Sequence, residues 1–363
     1  MISRVADHCF WLGRYLERVE SSSRVLRVTF ALWLDGMLPP AQVWGSAVTV
    51  SGEDESFARR FDPVRRADGE LVQEFLTWDS EVPASLVRSV TGARENARSI
   101  REVVSLESWE AINELHVWVH SRSARVEYES HRDAFYRHVR AATQLVLGTL
   151  GHTMLHDNAL DFITLGGLLE RVGLTARILD VHHHALTQLP ANLVREESLW
   201  LSLLRACAGF EPFMKRCAGR VTPSGVAAFL ILEPKFPRSL LFCLREACLT
   251  LVRIRLPTDP VLPRLESYDR LRFLADALAD QAGRLEGANL HQLLTRVVEE
   301  TAAICNEVGR ELLAGPPERA PAPIPVSGAL DAEPEQSSAS RPPPQQQVQN
   351  GSVGGAAMRA AQS

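Results

Sequence analysis

Two glutamates and the arginines around them recur at one spacing, and such groups can form an acid–base centre or an ionic clasp. "LGRYLERV" holds Gly13, Arg14, Glu17 and Arg18, and Arg24 follows. "LGGLLERV" holds Gly166, Glu170 and Arg171, and Arg177 follows at the same offset. Paired carboxylates on two helices are what general acid–base work or a bridging metal requires. Carboxylate-bridged di-metal bundles add Glu-x-x-His on their partner helices, and neither copy contains that spacing. The plainer reading is a buried or half-buried Arg–Glu network that fixes helix register.

These groups must be positioned by helices. At about 100° per residue, Gly13, Glu17 and Arg24 fall within roughly 40° of one another, as do Gly166, Glu170 and Arg177. A glycine on that stripe lets a second backbone approach. Glu and Arg seven residues apart lie about 10 Å apart along the axis, too far to pair within one helix. If the two helices run antiparallel, Glu17 meets Arg177 and Glu170 meets Arg24, a reciprocal clasp about a pseudo-two-fold axis. Local pairs, Glu20 to Arg24 and Glu17 to Arg14, are the alternative. A polar site would draw in Asn96 and Arg98 of "ARENARSIRE", next to Glu95. That segment's matched charges equally suit a solvated ion-paired face.

The rest of the chain reads as helical. Leu12, Leu16, Val19, Ser23, Leu26, Phe30 and Trp33 make one core-facing stripe. "DGMLPP" ends that helix. Short pieces are expected near 41–51 and 70–78. Pro83 suits the first position of a helix running on to Val104, and Ser105 suits an N-cap for the next. Helical patterns follow near 129–153, 157–187, 195–218, 223–231, 237–254, 264–284 and 288–313. Strand alternation is nearly absent; "AAFLILEP" is the one stretch that resembles a strand. The expected fold is all-α, a multi-helix bundle over 1–315 with an internal duplication, in halves of about 1–150 and 151–315. Beyond Gly315 Pro, Gln, Ser and Gly dominate, so 316–363 is expected to be a disordered tail.

An apolar share of 45% and a charged share of 23% fit a globular chain. The net charge of −5 gives no global signal for nucleic acid. Lys215 and Lys235 are the only lysines; the arginine bias fits GC-rich coding as well as anion recognition. No pair among Cys9, Cys207, Cys217, Cys243, Cys248 and Cys305 has Cys-x-x-Cys spacing, which points to free thiols in a reducing cytoplasm. The opening residues meet charge too early for a secretory leader, and no apolar run approaches a membrane span. His116 and His120, like His152 and His156, have metal-ligand spacing but lack the Glu of His-Glu-x-x-His. His8 and Cys9 point about 100° apart, which argues against a catalytic dyad. No metal and no cofactor is expected.

These residues also carry a family likeness. "SRVADHCFWLGRYLERVESSSRVL", "ARENARSIREVVSLESWEAINEL", "TMLHDNALDFITLGGLLERVGLTARILDV" and "FLILEPKFPRSLLFCL" resemble, in order, blocks of the bacterial Alpha-E family of α-helical proteins with a Glu-Arg motif. The likeness covers nearly all of 1–315. It departs at Gly167 and Leu168, where the second copy usually reads Arg-Tyr, at Val19 for the usual Ala, and at Ser22-Ser23 for Thr-Ala. An arginine lost at 167 favours a structural second copy or an asymmetric site. The resemblance implies partners of the ATP-grasp-type peptide ligase and transglutaminase-like kinds, and hence a role in a peptide- or amide-forming system, by association only. The chain itself has no phosphate loop of Walker type. Two function classes follow: a non-catalytic scaffold or accessory subunit, and a helical enzyme or metal-binding bundle with a central Glu/Arg site.

Overall fold

The computed structural model describes residues 3–36, 38–187, 193–217, 221–256, 264–281, 285 and 288–313, and among them there are helices and turns but no strand. The helices are α1 (Ser3–Leu34), α2 (Pro40–Ser51), α3 (Asp54–Arg60), α4 (Gly69–Thr77), α5 (Leu86–Ser99), α6 (Leu106–Val119), α7 (Arg122–Ser130) and α8 (Arg132–Thr153). They continue as α9 (Asn158–Thr187), α10 (Leu193–Ala206), α11 (Phe210–Arg216), α12 (Pro223–Leu232), α13 (Leu240–Ile254), α14 (Glu266–Ala279) and α15 (Ala288–Val308). Contacts divide the chain after Glu318. The tail expected at 316–363 lies outside the described residues.

Several boundaries differ from the sequence reading, each for a local reason. Ser85, not Pro83, begins α5: its hydroxyl accepts from the Arg88 amide at 3.2 Å, and Pro83 stays outside the helix. α5 then stops at Ser99, because the chain turns at Ile100 to bury both Ile100 and Val104. Ser105 caps α6 as its type predicts, accepting from the Ser108 amide at 3.2 Å. Ser121 caps a separate helix, α7, over a stretch that the sequence patterns, ending near Ser123 and resuming near 129, do not assign. The stretch expected as one helix over 195–218 breaks at Ala208 and Gly209, Ala208 adopting a φ of 54°. "AAFLIL" is helical, its apolar run buried in α12.

α1 and α9 are the centre. α1 packs on α9, α5 and α8, while α9 packs on α1, α13 and α15. Burial around most of the α1 circumference explains why its stripe is broad: Leu12, Leu16, Val19, Ser23 and Leu26 are buried as expected, and so are Glu17 and Glu20. Trp33 is 41% exposed, so the stripe ends before it. One apolar core joins α1 and α9 to α13 and α15 through residues such as Leu12, Leu165, Val172, Leu244 and Val297. A second, aromatic core around Trp44, Phe57, Phe75, Tyr128 and Phe135 takes in Val19, Leu26 and Leu32, farther along α1.

Candidate functional site

The site is built on the absence of two side chains. A Cβ on Gly13 would collide with the Ile163 carbonyl oxygen, and a Cβ on Gly166 would collide with that of Phe10. The two helices therefore touch backbone to backbone at this level. Farther on, residues 17–18 meet residues 170–171. The contacts advance together along both helices, so α1 and α9 run in the same direction, not antiparallel as the sequence reading supposed.

That direction changes the partners. Glu17 Oε2 accepts from Arg171 at 2.5 Å, while Oε1 accepts from Arg238 at 3.0 Å and from the Ser21 hydroxyl at 2.8 Å. Glu170 accepts from Arg18 Nε at 2.7 Å and from Arg14 Nε at 2.9 Å. The clasp is reciprocal, but each glutamate takes the arginine adjacent to the other glutamate, since equal levels face each other on parallel helices. The expected Glu17–Arg177 and Glu170–Arg24 pairs do not form. Arg177 Nε donates instead to the Gly173 carbonyl at 3.3 Å, and its guanidinium lies against Gly52, a left-handed residue with φ 77°. Arg24 pairs with Glu20 on its own helix, the local alternative. The other local alternative, Glu17 with Arg14, is replaced by Arg14 with Glu170.

Arg238 is the group the sequence reading missed. It bridges Glu17 and Glu20 from the loop before α13. A signal existed: Pro83-Ala84-Ser85-Leu86 recurs as Pro237-Arg238-Ser239-Leu240. The two loops make matching contacts. Arg18 donates to the Pro83 carbonyl at 3.4 Å and Arg171 to that of Pro237 at 3.2 Å. Ser85 donates to the Asp79 carbonyl and Ser239 to that of Glu233, both at 2.6 Å. The first copy carries arginine on the helix at Arg14 and alanine in the loop at Ala84; the second carries Gly167 on the helix and Arg238 in the loop. Each glutamate thus receives two guanidiniums, and Arg238 takes over what an arginine at 167 would supply.

Electrostatics follow from burial against pairing. Burial alone would push the Glu17 carboxyl upward; Arg171 and Arg238 outweigh it and hold it below the ordinary value. Glu170 is likewise raised by burial and lowered further by Arg18 and Arg14, to about 2. Both stay ionised at neutral pH. Burial lowers the pKa of Arg177, which Glu170 only partly offsets.

A cleft of about 600 Å³ opens beside this network, lined by Gly13, Glu17, Thr164, Gly167, Leu168 and Arg171 among others. It opens where the second copy has Thr164, Gly167 and Leu168 in place of Trp11, Arg14 and Tyr15. In the first copy those three stack together, with the Arg14 guanidinium 4.6 Å from the Trp11 ring centre. Glu17 borders the cleft, but it is 1% exposed and both its oxygens are occupied.

The remaining sequence candidates lie elsewhere. Glu95 pairs with Arg98 and Arg94 on α5, at least a quarter of each side chain being open to solvent. Asn96 accepts from or donates to no member of the clasp; its Oδ1 lies 2.8 Å from His8 Nδ1. The His116 and His120 rings lie with centres 4.2 Å apart and planes tilted by 33°, and burial with the neighbouring His120 lowers the His116 pKa to about 4. Among the described residues no group of three or more His, Cys, Asp or Glu is placed to hold a metal ion. No described helix is long and apolar enough to cross a membrane.

Comparison with known proteins agrees with the motif. The profile of the Alpha-E family, described as a predicted alpha-helical domain with a conserved ER motif, matches residues 1–313. Uncharacterised proteins of Mycobacterium bovis and Mycobacterium tuberculosis are 27% identical over 265 residues. The match covers 67% of this chain but only 29% of those relatives' length. No solved structure matches.

Proposed function

Because the chain belongs to the Alpha-E family, we propose that it is a non-catalytic helical scaffold or accessory subunit of a peptide- or amide-forming system with an ATP-grasp-type ligase and a transglutaminase-like protein. The observation that carries the non-catalytic part is the saturation of Glu17 and Glu170. A carboxylate that moves protons needs a free oxygen and a pKa near the working pH. Both glutamates are buried, doubly paired and driven below the ordinary carboxylate range. In the mycobacterial relatives the matched segment is 29% of a longer chain, which fits a module serving other parts. The link to a ligase rests on family association. The free cysteines fit work in a reducing cytoplasm.

We also infer duplication of a helical unit, with halves of about 1–150 and 151–315. Its support is the matched glycine contacts, the reciprocal pairs and the twin Pro-x-Ser-Leu loops.

One observation favours the second reading, a helical enzyme: the cleft beside Glu17 and Arg171. Affinity purification of the tagged chain from its own host separates the two. The scaffold reading expects an ATP-grasp-type ligase with the wild type and less of it with Glu170→Gln. Recovery of no such partner, together with a tightly bound metal or metabolite, would favour the enzyme.

A further inference from the structure

A second cleft, of about 420 Å³, lies where α1, α8, α10 and the start of α11 meet, and its chemistry differs from the first. Four arginines line it: Arg24 and Arg27 from α1, Arg140 from α8 and Arg205 from α10. Arg24 is paired with Glu20 and Arg27 with Asp133. Among the described residues Arg140 and Arg205 have no carboxylate partner within ion-pair distance, and Arg205 rests 5.0 Å from the Phe210 ring centre. The other acids on the lining, Asp35 and Glu211, are exposed.

Two observations point to an anion in this cleft. The Nε atoms of Arg24 and Arg140 are buried and have no acceptor, and a buried donor left unmet is costly. The cleft is also one end of an alternating chain, Arg171–Glu17–Arg238–Glu20–Arg24, which contains more guanidinium than carboxylate. Burial, with Arg24 and Arg27 nearby, lowers the Arg140 pKa, as expected for a cation in a positive field.

We propose that this cleft binds the phosphoryl group of a small phosphate monoester through Arg24, Arg140 and Arg205, with the organic part against Phe210. A carboxylate offers two oxygens in one plane, which Glu17 and Glu170 each use for two guanidiniums, whereas a tetrahedral phosphoryl dianion offers three terminal oxygens in different directions. Three guanidiniums from three different helices fit the second. The cleft has room for more than the phosphoryl group, and Val28, Ala31 and Phe210 give it an apolar wall.

Calorimetric titration of the full chain with inorganic phosphate, phenyl phosphate and benzoate tests it. Phenyl phosphate is expected to bind saturably, more tightly than benzoate, and more weakly as salt rises. Arg140→Gln is expected to weaken binding by about tenfold or more, the loss of a charge-assisted hydrogen bond. That variant leaves no paired carboxylate bare, so it should fold, with a melting temperature no lower than the wild type in the absence of anion. Arg122→Gln, on an exposed face away from the cleft, should bind as the wild type does. Equal binding of inorganic and phenyl phosphate, both lost in Arg140→Gln, would assign the site to free phosphate. No binding of either, binding unchanged in Arg140→Gln, or preference for benzoate would overturn the proposal.

Discussion

Glu170 shows what the motif does at the scale of a residue. Two guanidiniums hold its folded pKa at about 2 against an ordinary 4.5. A depressed carboxylate pKa contributes stability that is complete above the unfolded value and lost as pH falls through the folded one. Urea unfolding should therefore show stability declining from about pH 4.5 to about pH 2. Converted at 1.36 kcal/mol per unit, this single group is worth about 3 kcal/mol. Glu170→Gln is expected to be less stable at neutral pH and to lose most of that acid dependence. Arg238→Ala takes one of two guanidiniums from both Glu17 and Glu20, leaving Arg171 and Arg24 in place, so it should cost about 1.5–3 kcal/mol, the range for a hydrogen bond to a charged group. Arg98→Ala, in a half-exposed pair on α5, should cost less than about 1 kcal/mol in the same assay. The sequence made it legible that Glu17 and Glu170 needed cations. It did not reveal which ones. Arg171 and Arg177 both lie within reach of a facing helix, and only the direction of that helix decides between them. Arg238, in a loop far along the chain, announced itself only through the echo of Pro83-Ala84-Ser85-Leu86.

At the scale of the element, glycine position decides how closely α1 and α9 approach. Gly13→Ala or Gly166→Ala puts a methyl group into a backbone carbonyl that no rotamer can move. Each should destabilise by at least about 1–3 kcal/mol and loosen the glutamate–arginine pairs one turn further on. Gly148 in α8 is the opposite case, since a Cβ there meets nothing. Gly148→Ala should stabilise by about 0.5–1 kcal/mol through helix propensity alone. Thermal melting of the three variants side by side tests the contrast. The long helices α1 and α9 were readable within a few residues. α7 was not, because its junctions with α6 and α8 contain no glycine or proline; Ser121 alone marks the start. The break at Ala208 was also hidden, since Gly209 inside an apolar helical pattern reads as tolerable.

At the scale of the molecule, α1 and α9 form one central pair, and other helices pack around it on two apolar cores. The paired glutamates lie between them, where water is excluded and ionic partners must be exact in number. That accounts for the asymmetry of the chain: an arginine absent at Gly167 is supplied by Arg238, and the space it vacates becomes the cleft beside Arg171. Glu170 and Arg18 act as one unit across the helix pair, and Arg24 does not share in it. A double-mutant cycle in urea unfolding measures this most directly. Glu170→Gln with Arg18→Gln should give a coupling of about 1–3 kcal/mol, and Glu170→Gln with Arg24→Gln should be additive within about 0.5 kcal/mol. Additivity in the first cycle, or coupling only in the second, would contradict the clasp.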